Sequence, residues 1–289
     1  MYQIITDTDS DLAKEYVIEK GLVQVPQYTL IGDVTYEGAE GVDPADFYDQ
    51  MRGGVEPKSQ AINPSVCEDK FRAVLEQGKD ILYLSFAATL SGSINTAEMV
   101  GKELMEEFPD RVIKVVDTCS ASLGEAIIVM KAVDMQEEGK SMDEVIKWVE
   151  DNRKHMCHLL VVDDIKHLQR GGRVSKGTAF VGSVLGIRPV LIINNEDKLV
   201  STGTVRGKKK VIRYIVDTMK SKITDEWKAV NTRIGIAHGN ADEDANELAA
   251  AIKEEFGDVE IIITNINPSI GVHSGPGALL ITYFGTSRE

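Results

Sequence analysis

Three short stretches of this 289-residue chain place hydroxyls, glycines and polar side chains directly after runs that read as buried strands. Open α/β sheets put ligands at such strand ends. The first is Leu90-Ser91-Gly92-Ser93-Ile94-Asn95, between an apolar run at 80–85 and an amphipathic stretch with Met99, Leu104 and Phe108 on its apolar side. Hydroxyls and free backbone N–H groups at a helix start suit an anion, while a serine that merely caps the helix is an equally good reading. No Gly-x-Ser-x-Gly elbow is present, so nothing marks Ser91 or Ser93 as a nucleophile. The second stretch, Lys58-Ser59-Gln60-Ala61-Ile62-Asn63-Pro64, is a hydroxyl and polar turn leading into a helix over 66–75, and as a turn it needs no ligand. The third is Ile270-Gly271-Val272-His273-Ser274-Gly275-Pro276-Gly277, where the glycines let a loop backbone pass close to a ligand. His273 in that loop could donate to a carboxylate or act as base or nucleophile, or it could only satisfy backbone carbonyls.

A fourth stretch, from His167 to Lys176, packs Arg170, Arg173 and Lys176 around Gly171-Gly172. It matches neither a P-loop nor a dinucleotide fingerprint, and no ATP or NAD site is legible. Arg206, Lys208, Lys209, Lys210 and Arg213 open a helix and form a local basic exception that an acidic partner could use. His155-Met156-Cys157-His158 is too crowded for a zinc site and has no second pair at zinc-finger spacing.

The elements that must position these residues alternate short apolar runs with longer amphipathic ones, which predicts an α/β fold. Strands are expected at 3–6, 80–85, 112–117, 159–163, 189–194, 198–204, 233–238, 259–264 and 278–284, with helices between them. Asp43-Pro44 and Ser141 with Glu144 are helix starts with a stated mechanism, a capping side chain before proline and a capping box. Residues 191–204 read as a hairpin, which makes the second sheet mixed. The expectation is two α/β domains, 1–157 with a mainly parallel sheet and 158–289 with a mixed one, and a ligand cleft between them. A helix over 178–187, with Phe180 and Val184, is expected to line that cleft, although core packing explains such residues as well.

Composition narrows the function. Lysine and arginine number 32 against 46 acidic residues, a net charge of −14, which disfavours nucleic acid and anionic membrane surfaces. No stretch approaches the apolar length of a membrane span, and the opening MYQIITDTDSDL lacks a basic segment before an apolar run, so no export signal and no membrane insertion are expected. Cys67, Cys119 and Cys157 suggest neither disulfide nor zinc, which fits a reducing cytoplasm.

Taken together and in order, IITDTDSDL, KSQAIN, LSGSIN, DTCSASLGEA, LQRGGRVSKGTAFVGSVLGIRPVL and GVHSGPGALL resemble the DegV family along the whole chain. That resemblance implies a two-domain, non-catalytic bacterial protein with no cofactor, which binds a long-chain fatty acid and presents it to a separate ATP-dependent fatty acid kinase that feeds phospholipid synthesis. It further implies that Ser59, Ser91, Ser93 and His273 hold the carboxylate, that Asn95, Phe180 and Val184 line the pocket, and that Arg170 and Arg173 face the kinase. Ser59 stands where the family usually has threonine, Gln60 where a small residue is common, and Ser93 replaces the threonine of Ser-Gly-Thr.

A rival reading is a magnesium-dependent phosphatase of the haloacid dehalogenase type. Ile4-Ile5-Thr6-Asp7-Thr8-Asp9 imitates its strand followed by Asp-x-Asp, with Asp7 as nucleophile, Asp9 as general acid and the metal held with Asp163 or Asp164. It leaves KSQAIN, RGGR and HSGPG without roles.

Overall fold

In the computed structural model of the chain, which describes residues 1–38, 41–175 and 186–289, the alternation of apolar runs becomes a layered α/β fold. Strand β1 (Tyr2–Asp7) runs into a single 3₁₀ turn, Thr8–Ser10, and is followed by α1 (Lys14–Glu19), β2 (Val23–Val25), β3 (Tyr28–Ile31) and β4 (Val34–Glu37). Then come α2 (Pro44–Arg52), β5 (Lys58–Gln60), α3 (Pro64–Leu75), β6 (Asp80–Ser85), α4 (Ser93–Glu107), β7 (Ile113–Asp117), α5 (Leu123–Glu137) and α6 (Met142–Asn152). The remainder is β8 (Met156–Val161), α7 (Lys166–Arg170), β9 (Ile187–Ile193), β10 (Leu199–Arg206), α8 (Lys208–Lys222), α9 (Asp225–Lys228), β11 (Arg233–His238), α10 (Asp242–Phe256), β12 (Glu260–Asn265), α11 (Pro268–Ser274) and β13 (Leu279–Phe284).

Each strand expected from the sequence is present. Asp43 accepts from the backbone N–H groups of Ala45 (2.8 Å) and Asp46 (3.2 Å) to start α2, and Ser141 with Glu144 forms the capping box of α6. Strands β9 and β10 pair antiparallel as a hairpin. Strands β2 to β5 were not expected. They run only three or four residues and carry no apolar run, so their register comes from neighbours.

Strands β2-β1-β6-β7 make a wholly parallel sheet, and β10-β9-β8-β13-β11-β12 make a mixed one in which only β11 and β12 run parallel. A small antiparallel sheet, β4-β3-β5, stands apart from both. Successive side chains on a strand point to opposite faces. Ile5, Ile81 and Tyr83 therefore bury against α3 and α4 through Phe71, Val74 and Val100, while Ile4, Leu82 and Leu84 face α5. On the mixed sheet, Ile234, Ile236, Leu279 and Ile281 pack under α8 and α10, and the opposite face looks back at α5. Helix α5 thus lies between two sheets, which explains why its sequence, LGEAIIVMKAVDMQE, is apolar on nearly every side.

The helix lies close to β11 because that strand offers no side chain at the crossing. A Cβ on Gly235 would sit 2.6 Å from Leu123 Cβ and 2.4 Å from Thr282 Oγ1. Gly235→Ala is expected to destabilise the fold by about 1–3 kcal/mol through this overpacking. Urea titration checks it, the midpoint falling while the slope stays constant.

Candidate ligand-binding site

Where α5 begins, the space between the sheets is left unfilled. The resulting cleft has an empty volume of about 860 Å³, a figure that includes its open mouth. Phe86 and Leu90 after β6, Leu160 on β8, Ile193 on β9, Ile266 after β12 and Leu280 on β13 give it apolar walls. Ser59, Ser91, Arg173 and His273 line the same cleft, so three of the sequence stretches and the arginine stretch meet at one place.

Ser59 sits on β5, opposite Thr29 of β3, and its hydroxyl lies 2.8 Å from His273 Nε2. The segment carrying His273 was expected to be a loop. It is helix α11, because Asn267 caps it and Pro268 fills its first position, the same start that Asp43-Pro44 gives α2. Its first glycine is a packing device rather than a loop signal: a Cβ on Gly271 would meet Tyr48 Oη at 2.5 Å and Phe47 Cε1 at 2.8 Å. Gly275 (φ +76°) and Gly277 (φ +78°) then end the helix and turn the chain into β13. Gly171 lies against the other edge of the imidazole, since a Cβ there would come within 2.0 Å of His273 Nδ1. That nitrogen is buried and has no hydrogen-bond partner among the described residues. Burial, with Arg173 nearby, lowers the His273 pKa to about 3, so the ring is neutral.

Ser91 and Ser93 pair through their hydroxyls at 2.9 Å, and the Ser93 N–H donates to Ser91 Oγ at 3.3 Å. Ser93 is fully buried behind Ser91 and accepts from the Ile62 N–H at 3.4 Å, which ties the start of α4 to the end of the Ser59 segment. Asn95 is exposed and lies outside the cleft lining, two residues and about 200° further round α4 from Ser93. Met99, expected on the apolar side, is 48% exposed. Phe180 and Val184 lie outside the described residues, as does most of the helix expected over 178–187, and Ile187 at its end opens β9.

The two arginines part ways. Arg173 is half-buried in the cleft wall, its Nε donating to Leu90 O at 3.1 Å and a terminal nitrogen to Gly171 O at 2.6 Å. Arg170 is exposed, paired with Glu56 and donating to His167 Nδ1 at 2.8 Å. Of the basic run on α8, Lys208 is engaged by Asp244 and Glu247 of α10.

The phosphatase reading does not fit this geometry. Asp7 is fully buried, one carboxylate oxygen accepting from the Phe86 N–H (3.1 Å) and Tyr83 hydroxyl (3.4 Å), the other from Gln27 (3.3 Å) and the Asp9 N–H (3.1 Å). Asp163 pairs with Arg188 and Asp164 caps the turn into α7. Among the described residues no cluster of His, Cys, Asp and Glu is placed to hold a metal. Asp9, Gln27, His158 and Ser269 also line the cleft, although no role there was read for them from residue type and spacing. His158 is fixed by the Ala121 N–H at Nε2 (3.1 Å) and by Met156 O at Nδ1 (3.2 Å), and burial lowers its pKa to about 3. An isolated histidine in an apolar strand at 156–161 was the available signal.

The family model described as "Uncharacterised protein, DegV family" matches residues 1–286. The chain belongs to the DegV family. A DegV domain-containing protein of Clostridium perfringens is 34% identical over all of this chain and 99% of its own length. A DegV protein from Thermus thermophilus, described as fatty-acid-binding, superposes with a TM-score of 0.86 at 27% identity, covering 98% of this chain and 99% of that one. A fatty-acid-binding DegV protein of Streptococcus agalactiae gives 0.84 at 26% identity, covering 99% of both chains.

Titration of this DegV protein has two opposed components. Burial raises Asp7 from 3.8 to about 6 and Asp11 from 3.8 to about 7, so the stability these groups contribute is complete below the unfolded value and lost as pH rises through 6 and 7. His158 and His273, lowered from 6.5 to about 3, contribute stability above 6.5 that is lost as pH falls toward 3. In Asp11→Asn, thermal unfolding midpoints are expected to fall less than in the wild type between about pH 5 and about pH 8. Identical slopes for the two proteins would contradict this assignment.

Proposed function

We propose that this DegV protein is a non-catalytic carrier. It binds a long-chain fatty acid in the cleft and presents the carboxylate to a separate ATP-dependent fatty acid kinase, which forms the acyl phosphate for bacterial phospholipid synthesis in the cytoplasm. The observation that carries the proposal is that Ser59, paired with His273, and Ser91, backed by the buried Ser93, border one apolar cleft. The two domains proposed to flank it divide near residue 157, a boundary that falls inside β8, so Met156 and Cys157 go with the mixed sheet. The solved relatives described as fatty-acid-binding support the ligand, and the kinase is what the resemblance to the family implies.

Burial of about fourteen methylenes at roughly 0.8 kcal/mol each supplies about 11 kcal/mol before the cost of association and ordering. A carboxylate drawn into the cleft without donors would cost several kcal/mol. A neutral His273 carries one N–H, and placing it on Nε2 leaves the lone pair, not a proton, on the partnerless Nδ1, which is the cheaper orphan. His273 then donates to Ser59, and the Ser59 hydroxyl is free to donate to the ligand. Ser91, backed by Ser93, supplies a second hydroxyl, and Arg173 supplies positive charge from the cleft wall. Arg170, on the open surface, and Arg173 are the charges proposed to face the kinase.

Native mass spectrometry of protein purified without added lipid is expected to show a species heavier by one fatty acid. A lipid-free protein that gains no mass on incubation with palmitate would overturn the reading. Ser91→Ala should weaken retention of the acid by about 1–3 kcal/mol if its hydroxyl meets the carboxylate. Arg170→Glu should leave fatty acid binding unchanged and slow acyl-phosphate formation when the kinase is added. Equal loss of both activities would instead indicate damage to the fold.

A further inference from the structure

The acidic turn after β1, whose Asp9 reaches the cleft wall, is assigned no donor role above, yet it is bonded to the entry of the Ser91 loop, to α11 and, through Gln27, to the strand beside Ser59. Thr8 Oγ1 accepts from the Gln27 N–H at 3.0 Å, just ahead of β3, whose partner strand carries Ser59. Asp7 holds the Phe86 N–H at the entry to the Ser91 loop. Asp11 accepts from the Asn267 N–H at 2.9 Å and from the Ser122 hydroxyl, and Asn267 Nδ2 donates to Thr8 O at 3.0 Å. Asp9 accepts from the Ser269 hydroxyl, while its backbone carbonyl accepts from the Ser122 N–H at 3.1 Å. Asp7, Asp9, Asp11, Gln27, Ser122, Asn267 and Ser269 are all buried.

Ser269 and His273 are four residues apart on α11, hence neighbours on one helix face. Seven residues of helix are not stable by themselves, so the seating of the first turn fixes where the last turn points. Tyr48 and Phe47 against Gly271 resist movement on one side, and the bond from Ser269 to Asp9 fixes rotation and height on the other. We propose that Asp9, acting through Ser269, is a positioning residue that holds His273 at Ser59. This rests on the reading of the cleft as a carboxylate site; Asp9 and Ser269 also line that cleft, so the ligand-free state of His273 is the readout that isolates positioning.

The test compares wild type, Ser269→Ala, Ser269→Thr, Asp9→Asn and His273→Ala. Palmitate affinity is measured by competition with a fluorescent fatty acid, and the His273 ring nitrogens are followed by ¹⁵N NMR in the ligand-free proteins. Ser269→Ala is expected to shift the His273 nitrogen resonances and to weaken palmitate binding about tenfold, the scale of one lost hydrogen bond. Ser269→Thr should restore both. In a His273→Ala background the further change Ser269→Ala should alter affinity by less than about twofold, since residues acting through one another are non-additive. Unmoved His273 resonances in both Ser269→Ala and Asp9→Asn would overturn the inference, and so would full additivity with His273→Ala. If wild type fails to bind palmitate, the carboxylate reading falls, while the ligand-free resonances still decide whether Asp9 and Ser269 position His273.

Discussion

The structure depends on one helix being buried on both sides. α5 is pressed between a parallel and a mixed sheet, so the distance between the sheets is set by the girth of a helix that is apolar on nearly every side. Along α5 that gap is full. Upstream of Leu123 it cannot be filled by more helix, because Ser122 (φ +54°, ψ −136°) lies outside helical geometry and is fixed there by Asp9 and Asp11. Apolar walls therefore continue past the end of the helix that covers them, and a cleft is the geometric result. Glu125, in the first turn of α5, shows how dry this interior is. It receives the Thr6 hydroxyl at 2.6 Å, and burial pushes its pKa well above the ordinary carboxylate range.

Depth gives the same letters different chemistry. Asp-x-Asp after a strand can cradle a metal and attack phosphorus only if its oxygens are free. Here the oxygens of Asp7 accept from backbone N–H groups and side-chain donors, and Asp9 and Asp11 are bonded to hydroxyls and to the start of α11. Buried carboxyls that accept several hydrogen bonds are strong anchors, because removing the donor strands an expensive group in a low-dielectric interior. A motif that looks catalytic is in this fold the joint at which loops from both sheets are fastened.

How much of this was legible is best judged residue by residue. Long apolar strands, the hairpin and both named helix starts could be read because local pattern and burial agree in them. Strands β2 to β5 could not, since Lys58-Ser59-Gln60 becomes a strand only by pairing with Tyr28–Leu30, a partner with no local signature. The error at α11 was avoidable: Asn267-Pro268 is the same start as Asp43-Pro44, and glycine content outweighed it. Ser59, Ser91 and His273 were legible as residue types, and the structure brings them to one cleft. Asn95 was not, because neighbouring positions in a helix face different ways and only the helix phase tells which one turns inward.

In the proposed carrier role, the donors at this site are mostly neutral. A guanidinium fork on both carboxylate oxygens would bind the headgroup strongly and draw off its charge. Hydroxyls backed by a neutral imidazole each contribute modestly, leaving affinity to the hydrocarbon and electron density on the oxygens. In the proposed function that division is what a phosphoryl transfer needs, because the carboxylate must remain a nucleophile while the chain stays bound. Within the same proposal, the lowering of the His273 pKa to about 3 matters because a protonated imidazolium would add a second cation beside Arg173 and hold the carboxylate as an ion pair. In that proposal, burial of the ring on a short helix, between Gly171 and Ser59, is the feature that would let one cleft both retain its ligand and leave the reactive end chemically available.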